Sequence, residues 1–337
     1  MNETRTTCPY CGVGCGVVAR VEDDKIAVRG DENHPANSGR LCVKGSALGE
    51  TTGLQGRLLR PVVDGHQVEW GEALSTAGER LREVIDTWGP QAVAFYASGQ
   101  LLTEDYYAAN KLMKGFIGAA NIDTNSRLCM SSAVVGYKRA FGEDIVPCSY
   151  DDVENSDLVV LVGSNAAWTH PVLYQRLVQA RQANPEMKVV VIDPRKTATC
   201  DIADLHLALT PGSDAGLFVG LLNVIQGTDA WPMARVAEFC GLSPEEIGTF
   251  YDWFLTAPRA ITLYTMGINQ SSSGSDKCNA IINVHLASGK FAKQGCGPFS
   301  LTGQPNAMGG REVGGLANQL AAHMNFEPDD LSRVARF

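Results

Sequence analysis

Four cysteines near the start of the chain constrain its fold more than any other feature. Cys8, Cys11, Cys15 and Cys42 follow the pattern Cys-x2-Cys-x3-Cys-x26-Cys. Three thiolates within eight residues, with a distant fourth, can wrap a cubane 4Fe-4S cluster, because each iron at a cube corner takes one sulfur ligand. Gly12, Gly14 and Gly16 suit such a loop: the backbone must turn tightly and bring its N–H groups toward the cluster sulfurs. The main alternative is a structural zinc site, which usually shows paired Cys-x2-Cys knuckles. Here the fourth cysteine stands alone and the x3 gap does not make a knuckle. Radical-generating iron-sulfur enzymes use the reverse order, x3 then x2, and leave one iron without a cysteine. The pattern therefore predicts an electron-transfer cluster that feeds a redox centre deeper in the protein.

Composition narrows the setting. The 337 residues are enough for two or more domains. A net charge of −9 argues against a nucleic-acid partner, since phosphate binding needs concentrated Lys and Arg. No apolar run is long enough to span a bilayer, so no membrane partner is expected. With the first motif cysteine at position 8 there is no room for a signal peptide or twin-arginine leader, which predicts a cytoplasmic protein. That compartment keeps thiols reduced, so the ten cysteines are not expected to form disulfides. Those that cluster point to metal binding or catalysis. Cys148, Cys200, Cys240, Cys278 and Cys296 have no partner at metal-like spacing and read as structural.

Residues 1–57 combine glycines and turn formers with short alternating runs at Val17–Val21 and Lys25–Val28. They predict a small iron-sulfur domain of short strands, stapled by its metal. Beyond Arg60-Pro61 the period changes. Helical spacing covers Glu72–Thr87, an apolar strand Ala92–Ala97, and a helix Glu104–Gly118. From about residue 150 strands at Asp157–Val162, Lys188–Ile192 and Ala260–Thr265 alternate with helices at Pro171–Gln182, Ala215–Ile225 and Glu245–Leu255. Such alternation predicts a doubly wound, Rossmann-like α/β sheet, which binds ligands at the carboxyl ends of its strands. The expected division is residues 1–57, a first α/β segment 58–130, and a nucleotide-binding α/β domain 131–337. The ending Ser332–Phe337 reads as neither tail nor capped element, which points to a fragment of a longer polypeptide.

The strand-end loops have their own chemistry. Gly163 would let the backbone approach a ligand, and Asn165 could hydrogen-bond the edge of a nucleotide or a similar heterocycle. Asp193 stands where an acidic residue takes ribose hydroxyls, and Arg195 could reach a phosphate. No Gly-x-Gly-x-x-Gly accompanies these strands, which disfavours a direct NAD site. Lys44, two residues past Cys42, is either a surface charge or a cation beside an anionic cofactor.

Residues 6–16 (T-T-C-P-Y-C-G-V-G-C-G) and 40–45 (R-L-C-V-K-G) resemble the iron-sulfur domain of the molybdopterin oxidoreductases that carry a bis(molybdopterin guanine dinucleotide) cofactor. The likeness continues through N-S-R-L-C-M-S-S-A-V-V-G-Y (125–137), V-G-S-N (162–165), I-D-P-R-K-T (192–197), T-P-G-S-D (210–214), M-G-I-N-Q (266–270) and L-T-G-Q-P-N-A-M-G-G-R-E-V-G (301–314). Within that family the chain looks closest to the cytoplasmic assimilatory nitrate reductases, which are considerably longer.

The resemblance implies that Cys129 is the thiolate ligand of molybdenum, a soft donor added to the four dithiolene sulfurs. Without it, Cys129 before a predicted helix would pass for a buried structural cysteine. It further implies that Lys44 lies between cluster and pterin as an electron path, and that Arg127 and Met130 flank the reacting centre. His170, Thr197, Gly212, Asp214, Met266, Gly267, Gln270, Gln304, Asn306 and Arg311 join the strand-end residues as cofactor contacts. The implied reaction is two-electron reduction of nitrate to nitrite, with electrons from ferredoxin, flavodoxin or an NADH-linked reductase. The rival within the superfamily is formate dehydrogenase, where a histidine follows the metal-binding residue. Met130 occupies that place here, and a thioether cannot shuttle a proton. Other oxoanion reductases are further alternatives. So is the large iron-sulfur subunit of respiratory complex I, which wires electrons without a pterin; the Cys129 segment and the cofactor loops speak against it.

Overall fold

The computed structural model describes residues 3–22, 25–322 and 324–335. They form two compact units, Met1–Arg127 with Gln304–Phe337, and Leu128–Gly303. The first break falls after Arg127. Residues 304–337, expected with the second α/β domain, group instead with the N-terminal unit.

In the first unit, β1 (Glu3–Thr7), β2 (Gly16–Glu22) and β3 (Lys25–Gly30) form an antiparallel meander with β2 in the middle. Val17 and Val18 of β2 are buried. The β1–β2 connection carries three of the four motif cysteines, and Cys42 opens a short helix, Val43–Ser46. A small hairpin of β4 (Val62–Val63) and β5 (His66–Gln67) precedes the helix Trp70–Trp88. Then β6 (Phe95–Ala97) pairs in parallel with β7 (Ile122–Thr124). The single helix expected over 104–118 changes winding part-way: Thr103–Asn110 is an α-helix and Lys111–Ile117 a π-helix, ending at left-handed Gly118. Near the chain end a helix, Pro328–Val334, begins with proline in its first turn, where the sequence suggested no capped element. Residues 336 and 337 lie outside the described part.

The second unit is a five-stranded parallel sheet. Its strands are β8 (Leu158–Val162), β9 (Lys188–Ile192), β10 (Leu205–Leu207), β11 (Ala260–Tyr264) and β12 (Gly297–Ser300), in the order β10-β9-β8-β11-β12. Val162 pairs with Ile192 on one side and Tyr264 on the other. Alternate side chains feed two cores. Val160, Val162, Val190, Ile192 and Tyr264 pack on one face, and Val159, Leu161, Val189, Val191 and Leu263 on the other. Burial on both faces explains why these strands read as unbroken apolar runs. The winding reverses between β8 and β11, which places the switch point, where doubly wound sheets bind ligands, at the loops after those two strands. The fold is thus the α/β class expected, with a small strand unit at the N-terminus.

Candidate functional site

The cysteine loop is closed by its own backbone: Cys8 N–H donates to the Cys15 carbonyl (2.8 Å) and Gly14 N–H to that of Cys11 (3.2 Å). Gly14 takes a left-handed turn, φ +64°. Gly12 is needed for a different reason: a Cβ there would stand 2.3 Å from the Leu101 carbonyl oxygen and 2.4 Å from Cβ of Asn306. Cys42 Sγ accepts from Gly45 N–H at 3.5 Å, the kind of N–H···S contact a cluster ligand uses. The four thiols feel one another. Burial pushes Cys15 up to about 12, and Cys11, Cys8 and Cys42 push the same way. Burial likewise raises Cys8, with Cys11 and Cys42 adding to it and Lys44 opposing. So crowded a set is stable as thiolates only around a positively charged core, which a cluster provides. Among the described residues no three His, Cys, Asp or Glu side chains converge as ligands of one metal ion do; a cubane binds its four thiolates on four separate irons. Lys44 is exposed, its Nζ 5.8 Å from the Tyr10 ring centroid.

Four other expected residues lie in this unit. Arg127 is held by Asp123, with Nη2 2.8 Å and Nε 3.1 Å from one carboxylate oxygen, and Nη2 also donates to Asn318 Oδ1 at 3.0 Å. None of these bonds uses Nη1. Asn306 Nδ2 donates to the Leu101 carbonyl at 2.9 Å, fastening the 304–307 turn beside the cysteine loop. Gln304 packs against Gly99, and its Oε1 is buried with no hydrogen-bond partner. Arg311 is buried at the end of the helix Ala307–Glu312.

In the second unit, Cys129 lies within the first turns of the helix Ser126–Phe141, where the sequence placed it ahead of a helix. Its half-buried thiol is 2.8 Å from Met266 Sδ, and a Cβ on Gly303 would approach it to 3.5 Å. Gln270 Nε2 donates to the carbonyls of Leu128 and Cys129, both at 2.9 Å, and so fixes the backbone that carries the thiol. Met130, expected beside the reacting centre, is only 2% exposed and contributes packing.

The glycines at the switch point serve each other. Gly163, φ +54°, and Gly267 meet backbone to backbone: a Cβ on either would lie 2.7 or 2.5 Å from the other's Cα. Gly267 N–H and Thr265 Oγ1 both donate to the Gly163 carbonyl, at 3.1 and 2.6 Å. The expected approach of Gly163 to a ligand is thus, in the polypeptide itself, an approach to the neighbouring loop. Asn165 Oδ1 accepts from Thr199 Oγ1 (3.0 Å) and Thr197 Oγ1 from Thr199 N–H (3.3 Å), which ties the loop after β8 to the turn after β9. Asp193 is buried, its carboxylate accepting from Arg195 N–H at 2.8 Å, while Arg195 is exposed. His170 donates through Nε2 to the Thr302 carbonyl at 2.5 Å and accepts at Nδ1 from Thr169 Oγ1 at 2.8 Å. Burial holds its pKa below the usual histidine value, so the ring is neutral and bridges the loops after β8 and β12. Gly212 is an open left-handed turn, φ +95°. Asp214 is not open: its carboxylate is 2.6 Å from the buried Lys277 ammonium. Ser164, Thr199, Thr265 and Thr302 were not singled out in the sequence, although Ser164 and Thr302 lie inside the motifs. Ser164 Oγ is buried without a partner in the polypeptide, which fits a loop shaped to meet a polar ligand.

The family profile described as molybdopterin oxidoreductase matches residues 57–333, and that of the molybdopterin oxidoreductase Fe4S4 domain matches residues 1–52. The chain belongs to the molybdopterin oxidoreductase family. Among its relatives, a nitrate reductase of Klebsiella oxytoca is 74% identical over 355 aligned residues, covering 100% of this chain and 41% of the relative. A periplasmic nitrate reductase of Desulfovibrio desulfuricans is 38% identical, over 93% of this chain and 46% of the relative. The chain therefore spans less than half the length of these curated relatives. Acetylene hydratase from Pelobacter acetylenicus shares the fold, with a TM-score of 0.68 at 22% identity, over 85% of this chain and 43% of that one. The family's cofactors are molybdopterin with molybdenum and a 4Fe-4S cluster, and the residues fit both: four mutually crowded cysteines for the cluster, and polar strand-end loops with a half-buried thiol for the pterin and its metal. No helix among the described residues is long and apolar enough to cross a membrane.

Proposed function

We propose that this chain is part of the catalytic subunit of an assimilatory, cytoplasmic nitrate reductase. It would reduce nitrate, with two electrons and two protons, to nitrite and water. The observation that carries the reading is 74% identity to the Klebsiella oxytoca nitrate reductase along the whole of this chain. When bound, molybdenum in its bis(molybdopterin guanine dinucleotide) form supplies the oxygen-accepting, two-electron chemistry.

The chain's own residues have distinct tasks. Cys8, Cys11, Cys15 and Cys42 hold the cluster, and Lys44 carries the electron path toward the pterin. Cys129 ligates molybdenum, with its backbone fixed by Gln270 and its sulfur against Met266. Arg311, Gln304 and Asn306 supply polar contacts on the pterin and substrate side. Ser164, Asn165, His170, Asp193, Arg195, Thr197, Gly212 and Asp214 shape the nucleotide ends. Nitrate is an anion, so its pocket needs a cation, and Arg311 and Arg127 are the candidates: Arg311 is buried, and Arg127 is paired with Asp123. The electron donor would be ferredoxin, flavodoxin or an NADH-linked reductase.

Metal and pterin analysis of the full-length protein, paired with a nitrate assay driven by reduced viologen, tests this. Both molybdenum and nitrate turnover are expected. A protein without molybdenum refutes the enzyme reading, and formate oxidation without nitrate turnover reassigns the substrate.

A further inference from the structure

The helix Trp70–Trp88 of the first unit lays an apolar seam open along its whole length. Trp70, Leu74, Ala77, Leu81, Val84 and Trp88 follow one another at alternating steps of four and three, the spacing of a packing seam. At about 100° per residue they span an arc of about 80°, along about 28 Å of helix. Yet no residue of the helix is buried. Trp70 and Leu74 are each 65% exposed, Trp88 76%, and Leu81 and Val84 more than a third. Ile85, beside the seam, packs on the small core of Val93, Met113, Ala119 and Ile122. The sheet of the same segment is open as well. β6 and β7 form a two-stranded parallel sheet, and Tyr96, the middle residue of β6, is 79% exposed. Strands paired in parallel normally have protein on both faces, and two strands alone are marginal. A contiguous apolar surface of this kind marks an interaction site.

We propose that the seam of this helix and the β6–β7 sheet form one interface, and that its occupant is the polypeptide of the full-length protein outside residues 1–337. The length of chain supports this occupant. The match to the Klebsiella oxytoca nitrate reductase takes in all of this chain but 41% of that relative, so more than half of the relative lies outside it. The two open features also choose between occupants. A second copy docking helix against helix across a two-fold axis would cover the seam but leave the sheet at two strands. A stretch of chain running strand then helix would extend the sheet and lay its helix on the seam, as the repeating unit of an α/β layer does. The interface uses none of the residues assigned to cofactor or substrate, so it stands or falls apart from the nitrate reading.

The test uses the full-length protein. Hydroxyl-radical footprinting read by mass spectrometry should find Trp70 and Trp88 at least about fivefold less modified in the native protein than after unfolding in urea, as buried indoles are. Weaker protection overturns the proposal. A photoreactive side chain at the middle of the seam, introduced by Ala77→p-benzoylphenylalanine, should on irradiation crosslink to a peptide outside residues 1–337 of the same molecule. Any other crosslink overturns the proposal, whether to residues 1–337, to a second copy or to a separate protein. If the Ala77 variant does not fold, footprinting of the parent decides, with sedimentation to fix its assembly. Protection that persists in the monomer supports the proposal, and protection lost on dilution to the monomer gives the seam to a second copy and overturns it.

Discussion

Removing the Lys277 ammonium should cost the second unit about 3 kcal/mol of stability. Lys277 Nζ and Asp214 Oδ2 are 2.6 Å apart, and the two side chains are 2% and 9% exposed. Breaking a buried pair from one side typically costs about 3–5 kcal/mol, because the remaining charge is left without water or counterion. Asp214 opens the helix Asp214–Gln226, whose N-terminal dipole gives back up to about 1 kcal/mol of that loss to an unpaired carboxylate. The low end of the range, about 3 kcal/mol, is therefore expected for Lys277→Met, a change of about two orders of magnitude in the folding equilibrium. Replacing both partners, Lys277→Met with Asp214→Leu, leaves no orphan charge and should return to within about 1 kcal/mol of the parent. Trp231 and Trp253 pack against the core of this unit and report its unfolding in urea. With a slope of about 2–3 kcal/mol per M, the single variant should lower the midpoint by about 1 M or more. A double variant as unstable as the single one would refute the reasoning, since the loss would then come from packing and not from a stranded carboxylate.

Cys129→Ala should abolish nitrate turnover while leaving the EPR signal of the reduced 4Fe-4S cluster intact; loss of both signals would mean that Cys129 serves the fold instead. Cys42→Ser should remove most of the cluster's absorbance and EPR intensity, as expected of one ligand among four. Gly163→Ala adds a Cβ 2.7 Å from the Gly267 Cα at a left-handed φ, and should destabilise the second unit by about 1–3 kcal/mol in urea titrations. His285 is wholly buried, its Nε2 2.8 Å from Thr262 Oγ1, and burial holds its pKa down to about 4. The unfolded chain takes up that proton from about pH 6.5 and the folded one only near 4, so stability should fall as pH drops through this window, by up to about 3 kcal/mol. His285→Gln should flatten that part of the stability–pH curve.

What the sequence made legible was local. Apolar runs such as 158–162 and 188–192 announce doubly buried strands because every side chain in them meets protein, and the cysteine spacing announces a cluster because its ligands are close in the chain. Pairings across the fold left no such mark. Lys277 carries no local mark, since nothing in the sequence near it tells that its helix lies against the one opened by Asp214. Gly12 reads as a turn glycine, yet the pressure on it comes from Leu101 and Asn306, which only the folded unit brings to it. The edge strands β10 and β12 are three and four residues long, too short to carry a period. The substrate-side cation shows the same limit. In an extended segment ahead of a helix, Arg127 and Cys129 would project to the same side and could serve one anion together. The helix instead begins at Ser126, and residues two apart in a helix point to different faces. Arg127 is instead held by Asp123 of β7, just ahead of the helix, and shares its charge with that carboxylate.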